Sequence, residues 1–268
     1  LLLISALFRE EMSFFKWYGG LQRKMLSRFD HLFVQNKSSK ELVDAIGLAD
    51  ICTISGDTRF DRVIAIAENF QSVPVIEQFI NNHKTIIAGS TWAEDEEVLQ
   101  KAVTAINKSA LKLIIAPHEI NEKRLKEIKE LFPDAVLFSE LPTPDSQLST
   151  TLIIDNIGML SKLYKYSYIS YVGGALKING VHNVLEAAVY SKVVLFGPYY
   201  KKYSEAIGLI ESGGGISFDN TDDCKKIIER LLKDDTEYNL RSKAAGNFVA
   251  TNKGATEKII QFIQEKRL

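Results

Sequence analysis

Residues 171–190 read YVGGALKINGVHNVLEAAVY. The apolar run that begins at Tyr168 stops at Gly173-Gly174, a short polar loop follows, and His182, Asn183 and Glu186 open a pattern that reads as helical. A strand closed by glycines and followed by a loop and a helix is a βα unit, and chains built of such units form parallel sheets.

The pattern repeats outward from this stretch. From Lys84 the chain alternates KTIIAGS, the helical AEDEEVLQKAVTAINK, LKLIIAPHE, the helical NEKRLKEIKELFP, AVLFSEL, TTLIIDN, the helical GMLSKLYKYS, YISYVGG, the helical HNVLEAAVYS, KVVLFGP, a helix around YSEAIGLIESGG, GISFD and the helical TDDCKKIIERLLKD. These six or seven strands between Lys84 and Lys233 suffice for a doubly wound sheet. Upstream, LLLIS, a helix expected from about Glu10 to Arg28, HLFVQ, SSKELVDAIG and ADICTIS carry the same alternation. The stretch from residue 60 to 83 breaks it. After Glu237 the pattern is helical to the end, interrupted at Asn252-Lys253-Gly254-Ala255. The expected divisions are therefore 1–62, 63–236 and 237–268.

The composition is that of a globular protein: 268 residues, 46% hydrophobic, 25% charged, net charge -1. That balance provides no global attraction to nucleic acid, so any basic surface is local. The two cysteines, Cys52 and Cys224, match no metal-ligand spacing and read as reduced thiols. No run of 18 apolar residues occurs, and LLLISALF has neither the length of a membrane span nor the basic flank of a signal peptide. A chain that opens in a strand-like Leu1-Leu2-Leu3-Ile4 without Met is expected to be preceded by further sequence.

In an open parallel sheet, ligands bind beyond the carboxyl ends of the strands. The residues that follow each strand are Gly89-Ser90-Thr91-Trp92, Pro117-His118-Glu119, Asp155-Asn156-Ile157-Gly158, Gly173-Gly174-Ala175 and Gly197-Pro198. Glycine there also serves ordinary turns, Ser and Thr also cap helices, and a lone histidine is also a surface residue. Recurrence on successive strands favours a site. A Gly-Gly turn would let a phosphate approach the backbone, and the helix expected from His182 would present N–H donors. Glu186, four residues on, would accept from a ribose diol or partner the helix dipole. Neither GxGxxG after the first strand nor GxxxxGK[ST] is present, which argues against an NAD enzyme and a P-loop NTPase.

Taken together, SGDTRFDRV (55–63), AGSTWAEDE (88–96), APHE (116–119), IIDNIGMLSKLYKYSYISYVGGAL (153–176) and NGVHNVLEAAVYSKVVLFGPYYKKYSEA (179–206) resemble the 3-deoxy-D-manno-octulosonic acid (Kdo) transferases, in order and spacing over the whole chain. The resemblance implies the two-domain GT-B fold, with a nucleotide-sugar-binding C-terminal domain and the remaining part of an N-terminal acceptor domain. It implies transfer of Kdo from CMP-Kdo to a lipid A precursor at the cytoplasmic face of a Gram-negative inner membrane, as an inverting reaction without metal or cofactor.

Residue by residue, the resemblance assigns Arg59 to a motif at the domain junction, Ser90 and Thr91 to a phosphate-facing loop, and Pro117 and His118 to the donor site. It assigns Gly158 to the loop near cytosine, Gly173, Gly174 and Ala175 to the VGGS loop, and His182, Asn183 and Glu186 to the HNxLE element that holds ribose. Ala175 stands for the family's Ser, Met159 for an acid, Val181 for a Gly and Val184 for a Pro. The family's catalytic Glu is expected upstream of Leu1, so this chain alone is expected to bind CMP without turnover. SALFREEMSFF matches the family's NARLSERSF, which makes Arg9 and Lys16 candidates for lipid A phosphates. Aromatic and basic residues interleave in FFKWYGGLQRK (14–24), as in interfacial segments, although Phe14, Phe15 and Trp17 equally suit a core. Two other classes stay open: a non-catalytic nucleotide-binding module, and a GT-B enzyme that uses a UDP-sugar.

Overall fold

In the computed structural model, which describes residues 1–104, 106, 111–141, 149–178 and 180–266, the chain forms two compact units. One comprises Leu1–Ala65 with Ala250–Leu268, the other Ile66–Val249. The divisions fall inside two helices, α3 (Thr58–Glu68) and α11 (Asp235–Thr251).

The smaller unit is built on three parallel strands, β1 (Leu2–Ala6), β2 (His31–Val34) and β3 (Cys52–Ile54), in spatial order β1-β2-β3. Every residue of β2 is buried, because the strand has both faces covered. Leu32 and Val34 join Phe8, Leu26 and Val43 of α2 (Lys37–Ala45) in one cluster. On the other face His31 and Phe33 meet Phe262 of α12 (Ala255–Lys266), with ring centroids 4.2 and 5.1 Å away. The Asp61 carboxylate fixes the start of α12 by accepting from Gly254 N at 2.6 Å and Thr256 N at 2.8 Å.

The long helix expected over residues 10–28 is not formed. Only α1 (Gly20–Leu26) is helical, after a single turn at Ser13–Phe15. Gly19 explains the break: a Cβ there would lie 1.9 Å from the Ser13 carbonyl oxygen. This turn separates the aromatic run by environment. Phe14 and Phe15 pack edge-on against Phe8, at 5.8 and 5.5 Å, whereas Trp17 is 92% exposed.

Among the described residues the larger unit carries seven parallel strands: β4 (Lys84–Thr91), β5 (Leu111–Pro117), β6 (Val136–Leu137), β7 (Thr151–Ile153), β8 (Ile169–Val172), β9 (Val193–Phe196) and β10 (Gly215–Ser217). Their order is β10-β9-β8-β4-β5-β7-β6. The chain winds outward from β4 in one direction and returns to β8 on its other side, so the topological switch lies between β4 and β8. Helices α5 (Ala93–Thr104), α6 (Glu122–Leu131) and α10 (Thr221–Lys233) cover one face, packing Leu99, Ile128 and Ile228 on Ile86, Leu113, Ile169 and Val193. Ile87, Ile114 and Leu152, of opposite parity, are also fully buried. Strands buried at both parities belong to sheets covered on both faces. The helix end expected at 105–108 lies partly outside the described residues.

Between the strands, helices α4 (Pro74–Ile80), α7 (Leu160–Leu163), α8 (Leu185–Ala188) and α9 (Ser204–Glu211) are short. The helix expected from His182 begins at Leu185, since the Asn183 side chain accepts from Leu185 N at 3.2 Å and holds residues 181–183 outside it. At four residues it has almost no macrodipole, which removes the expected N-terminal anion site.

Both cysteines are free and buried, and burial pushes the Cys224 thiol up to about 12. Neither is expected to react with iodoacetamide in the native chain at neutral pH, and both should react after denaturation. Rapid native alkylation of Cys224, read by mass spectrometry, would contradict this packing.

Candidate functional site

At the switch point the ends of β4 and β8 meet backbone to backbone. Gly173 N donates to Gly89 O at 2.9 Å, and a Cβ on Gly173 would stand 2.4 Å from Ser90 O and 2.8 Å from Thr91 Cα. Gly89 is equally confined, because the Tyr164 hydroxyl would lie 2.1 Å from its Cβ. The glycines are therefore required by the closeness of protein to protein. Ser90 sits in a left-handed conformation, φ 53°, where β4 slips its register against β5.

Asp95 binds these loops together. It is 1% exposed, and it accepts from Trp92 N at 2.9 Å, Gly174 N at 3.0 Å and the Tyr171 hydroxyl at 2.7 Å. One carboxylate thus joins the β4–α5 turn, strand β8 and the loop after it. Beside it Glu96, also 1% exposed, accepts from the Thr91 hydroxyl at 2.8 Å and pairs with Arg124 of α6. Burial raises the pKa of Asp95 and of Glu96, against the hydrogen bonds, which act to lower it. Acids at a helix start ordinarily serve as partners of the helix dipole, and composition alone does not separate that role from burial. The available signal was the number of acids directly after a Ser-Thr strand end, more than a cap requires.

These contacts decide what is left for a ligand. The Gly173 and Gly174 N–H groups are both engaged within the protein, so they do not form the expected phosphate cradle. The Thr91 hydroxyl is turned inward to Glu96, and Ala175 is fully buried and offers only backbone. Three rings gather at the rim instead. The Trp92 indole N–H donates to His182 Nε2 at 3.2 Å, and His118 stacks on both, with centroids 4.6 Å from Trp92 and 4.5 Å from His182. His118 N donates to Thr91 O, and His182 N to Gly173 O, which fixes both residues at the rim. Burial, then the neighbouring His118, holds the His182 pKa below its ordinary value. Pro117 ends β5 beside Thr91.

Asn183 Nδ2 donates to Glu186 Oε1 at 3.0 Å, so the carboxylate is oriented by the amide three residues before it. Gly158, φ 96°, precedes α7, whose Leu160 reaches the Gly89 position. Arg59 lies in the smaller unit, where its guanidinium pairs with Asp57 at 2.7 Å. The larger unit thus brings together Ser90, Thr91, Pro117, His118, Gly173, Gly174, Ala175 and His182, with Trp92 added. Among the described residues, no group of three or more His, Cys, Asp or Glu is placed to hold a metal ion.

No protein-family profile matches the chain. It is similar to a 3-deoxy-D-manno-octulosonic acid transferase of Rickettsia bellii, 24% identical over 274 residues, which are 98% of this chain and 64% of that protein. The chain spans about three fifths of the length of the curated relatives it matches. Among solved structures it resembles the C-terminal CMP-Kdo binding domain of WaaA from Acinetobacter baumannii, TM-score 0.57 and 19% identity over 70% of this chain and 98% of that one. It also resembles the S. aureus MnaA–UDP co-structure, TM-score 0.64 and 18% identity over 98% of this chain and 68% of that one. The fold is of the Rossmann-like α/β type found in GT-B glycosyltransferases.

Asp95→Ala should destabilise the chain by about 2–4 kcal/mol, since it leaves the Trp92 and Gly174 N–H groups and the Tyr171 hydroxyl without their acceptor; Asp95→Asn should cost less. The raised folded pKa means that the carboxyl's contribution is complete below the unfolded value and is lost as pH rises through the folded one. Asp95→Asn should therefore gain on the wild type between about pH 4 and about pH 7. Urea denaturation at both pH values checks this, and a wild type that gains with pH would reverse the balance between burial and hydrogen bonding.

Proposed function

We propose that this chain, a homologue of the Kdo transferases over nearly its whole length, is the donor-binding part of a glycosyltransferase that moves Kdo from CMP-Kdo to a lipid A precursor. The observation that carries the proposal is the coincidence of this kinship with a polar rim at the β4/β8 switch, where open α/β sheets bind nucleotides. The Ser90 hydroxyl and the imidazoles of His118 and His182 offer hydrogen bonds to the phosphate there, and Glu186, oriented by Asn183, suits a ribose diol.

In this reading CMP leaves as its phosphate charge is stabilised by fixed donors, while an acceptor hydroxyl attacks from the opposite face and inverts the anomeric centre. Donors aimed at developing charge contribute about 3 kcal/mol each to transition-state stabilisation. No metal is required in this reading, because the leaving group is a monoester phosphate whose charge the donors of the rim meet. The acceptor's base belongs to the part of the relatives that this chain does not span, so the chain alone is proposed to bind donor without turnover.

The acceptor is a lipid, and a second surface fits that. Trp17, Tyr18, Leu21 and Met25 are 92, 59, 71 and 59% exposed, and Lys16, Lys24 and Arg28 lie among them. Aromatic and aliphatic side chains flanked by cations favour the interface of an anionic bilayer, which supports peripheral attachment at the cytoplasmic face of the inner membrane. Among the described residues no helix is long and apolar enough to cross a membrane.

Titration calorimetry with CMP, CDP and UDP tests the donor assignment. CMP should bind, and Glu186→Ala should weaken it about 10- to 100-fold by removing charged acceptors of the ribose. Selective binding of UDP would move the donor to the UDP-sugar class. In a separate experiment the chain should co-sediment with vesicles containing phosphatidylglycerol but not with pure phosphatidylcholine, and Trp17→Ala should reduce that binding. Equal partition of wild type and variant would remove the surface from the proposal.

A further inference from the structure

We propose that Trp92 is a positioning residue that fixes His182 in the neutral Nδ1–H tautomer, leaving that N–H as a preset donor for the nucleotide phosphate. The inference deepens the donor-binding reading and rests on it. Indole Nε1 is a donor only, so the 3.2 Å contact with His182 Nε2 requires that Nε2 carry no proton. A neutral imidazole then carries its proton on Nδ1, on the other side of the ring.

The surroundings hold the ring in that state. His118 lies 4.6 Å from the Trp92 ring and 4.5 Å from the His182 ring, with interplanar angles of 30° and 21°. Trp92 and His182 are joined edge to edge, so His118 stacks across their seam. On the backbone side, a Cβ at Gly174 would stand 2.8 Å from His182 Cδ2, so the ring lies against the glycine and its rotation is confined. Among the described residues, His182 Nδ1 has no hydrogen-bond partner, and neither has the Ser90 hydroxyl. With the Gly173 and Gly174 N–H groups engaged inside the protein, these two side chains join the His118 imidazole as donors that the rim holds in reserve. A tautomer set before binding avoids the cost of selecting it on binding.

The test is long-range 1H–15N NMR of histidine-labelled chain, with His182→Gln assigning the His182 ring among the four histidines. In the unmodified chain His182 should show a protonated Nδ1 and an unprotonated Nε2, a measurement that depends on no variant folding. Trp92→Phe keeps a ring in the stack but removes the N–H. It should shift His182 toward the Nε2–H form and weaken CMP binding about 3- to 10-fold, while in a His182→Ala background it should change CMP affinity no further. A native His182 that carries its proton on Nε2, an unchanged tautomer in Trp92→Phe, or independent affinity losses would overturn the proposal. If the native chain shows the Nδ1–H tautomer and binds no CMP, the phosphate role falls with the nucleotide reading, whereas the Trp92–His182 contact stands.

Discussion

The Asp95 carboxylate is the constraint on which the rim depends. It is buried at the start of α5 and satisfied by Trp92 N, Gly174 N and the Tyr171 hydroxyl, so the turn after β4 cannot move independently of β8 and the loop beyond it. Burying a carboxylate is costly unless every lone-pair direction finds a donor. Here the donors come from segments that are distant in sequence, and the cost is offset only when all of them arrive together. Glu96, through Thr91 and Arg124, extends the same arrangement toward α6.

That constraint explains the glycines and the donors differently from a phosphate-binding loop. Gly89 and Gly173 let two strand ends touch, and the N–H groups that glycine would have opened to a ligand are satisfied by protein acceptors. The chemistry available at the rim is accordingly carried by side chains, the Ser90 hydroxyl and the two imidazoles, with the Glu186 carboxylate held by Asn183 in the helix that follows. Ser90 is presented from a left-handed backbone conformation that a non-glycine residue adopts only where its surroundings impose it.

The alternation of apolar strands with helical patterns was enough to read a parallel sheet of six or seven strands, because buried parallel strands are mostly apolar and several of their ends are marked by glycine. Other features were not legible. The 10–28 segment has helical composition, but the close approach of Gly19 to Ser13 O turns the chain there and confines the helix to Gly20–Leu26. The start of α8 was displaced by the Asn183 side chain, which bonds to Leu185 N where a pattern of apolar residues suggests only continuity. The burial of Asp95 and Glu96 was not legible either, since composition does not distinguish an acid on a surface turn from one that three neighbours surround. The ring cluster was hidden for a similar reason: Trp92, His118 and His182 follow three different strands.

The central claim is that the carboxyl rim between β4 and β8 is the nucleotide site. Backbone amide NMR shifts on addition of CMP locate the ligand directly. The account predicts the largest changes at 89–92, 117–118, 173–175 and 182–186. Changes centred instead on the cleft of about 90 Å³ lined by Leu111, Phe132, Asp134 and Thr151, at the amino end of the strands, would contradict it.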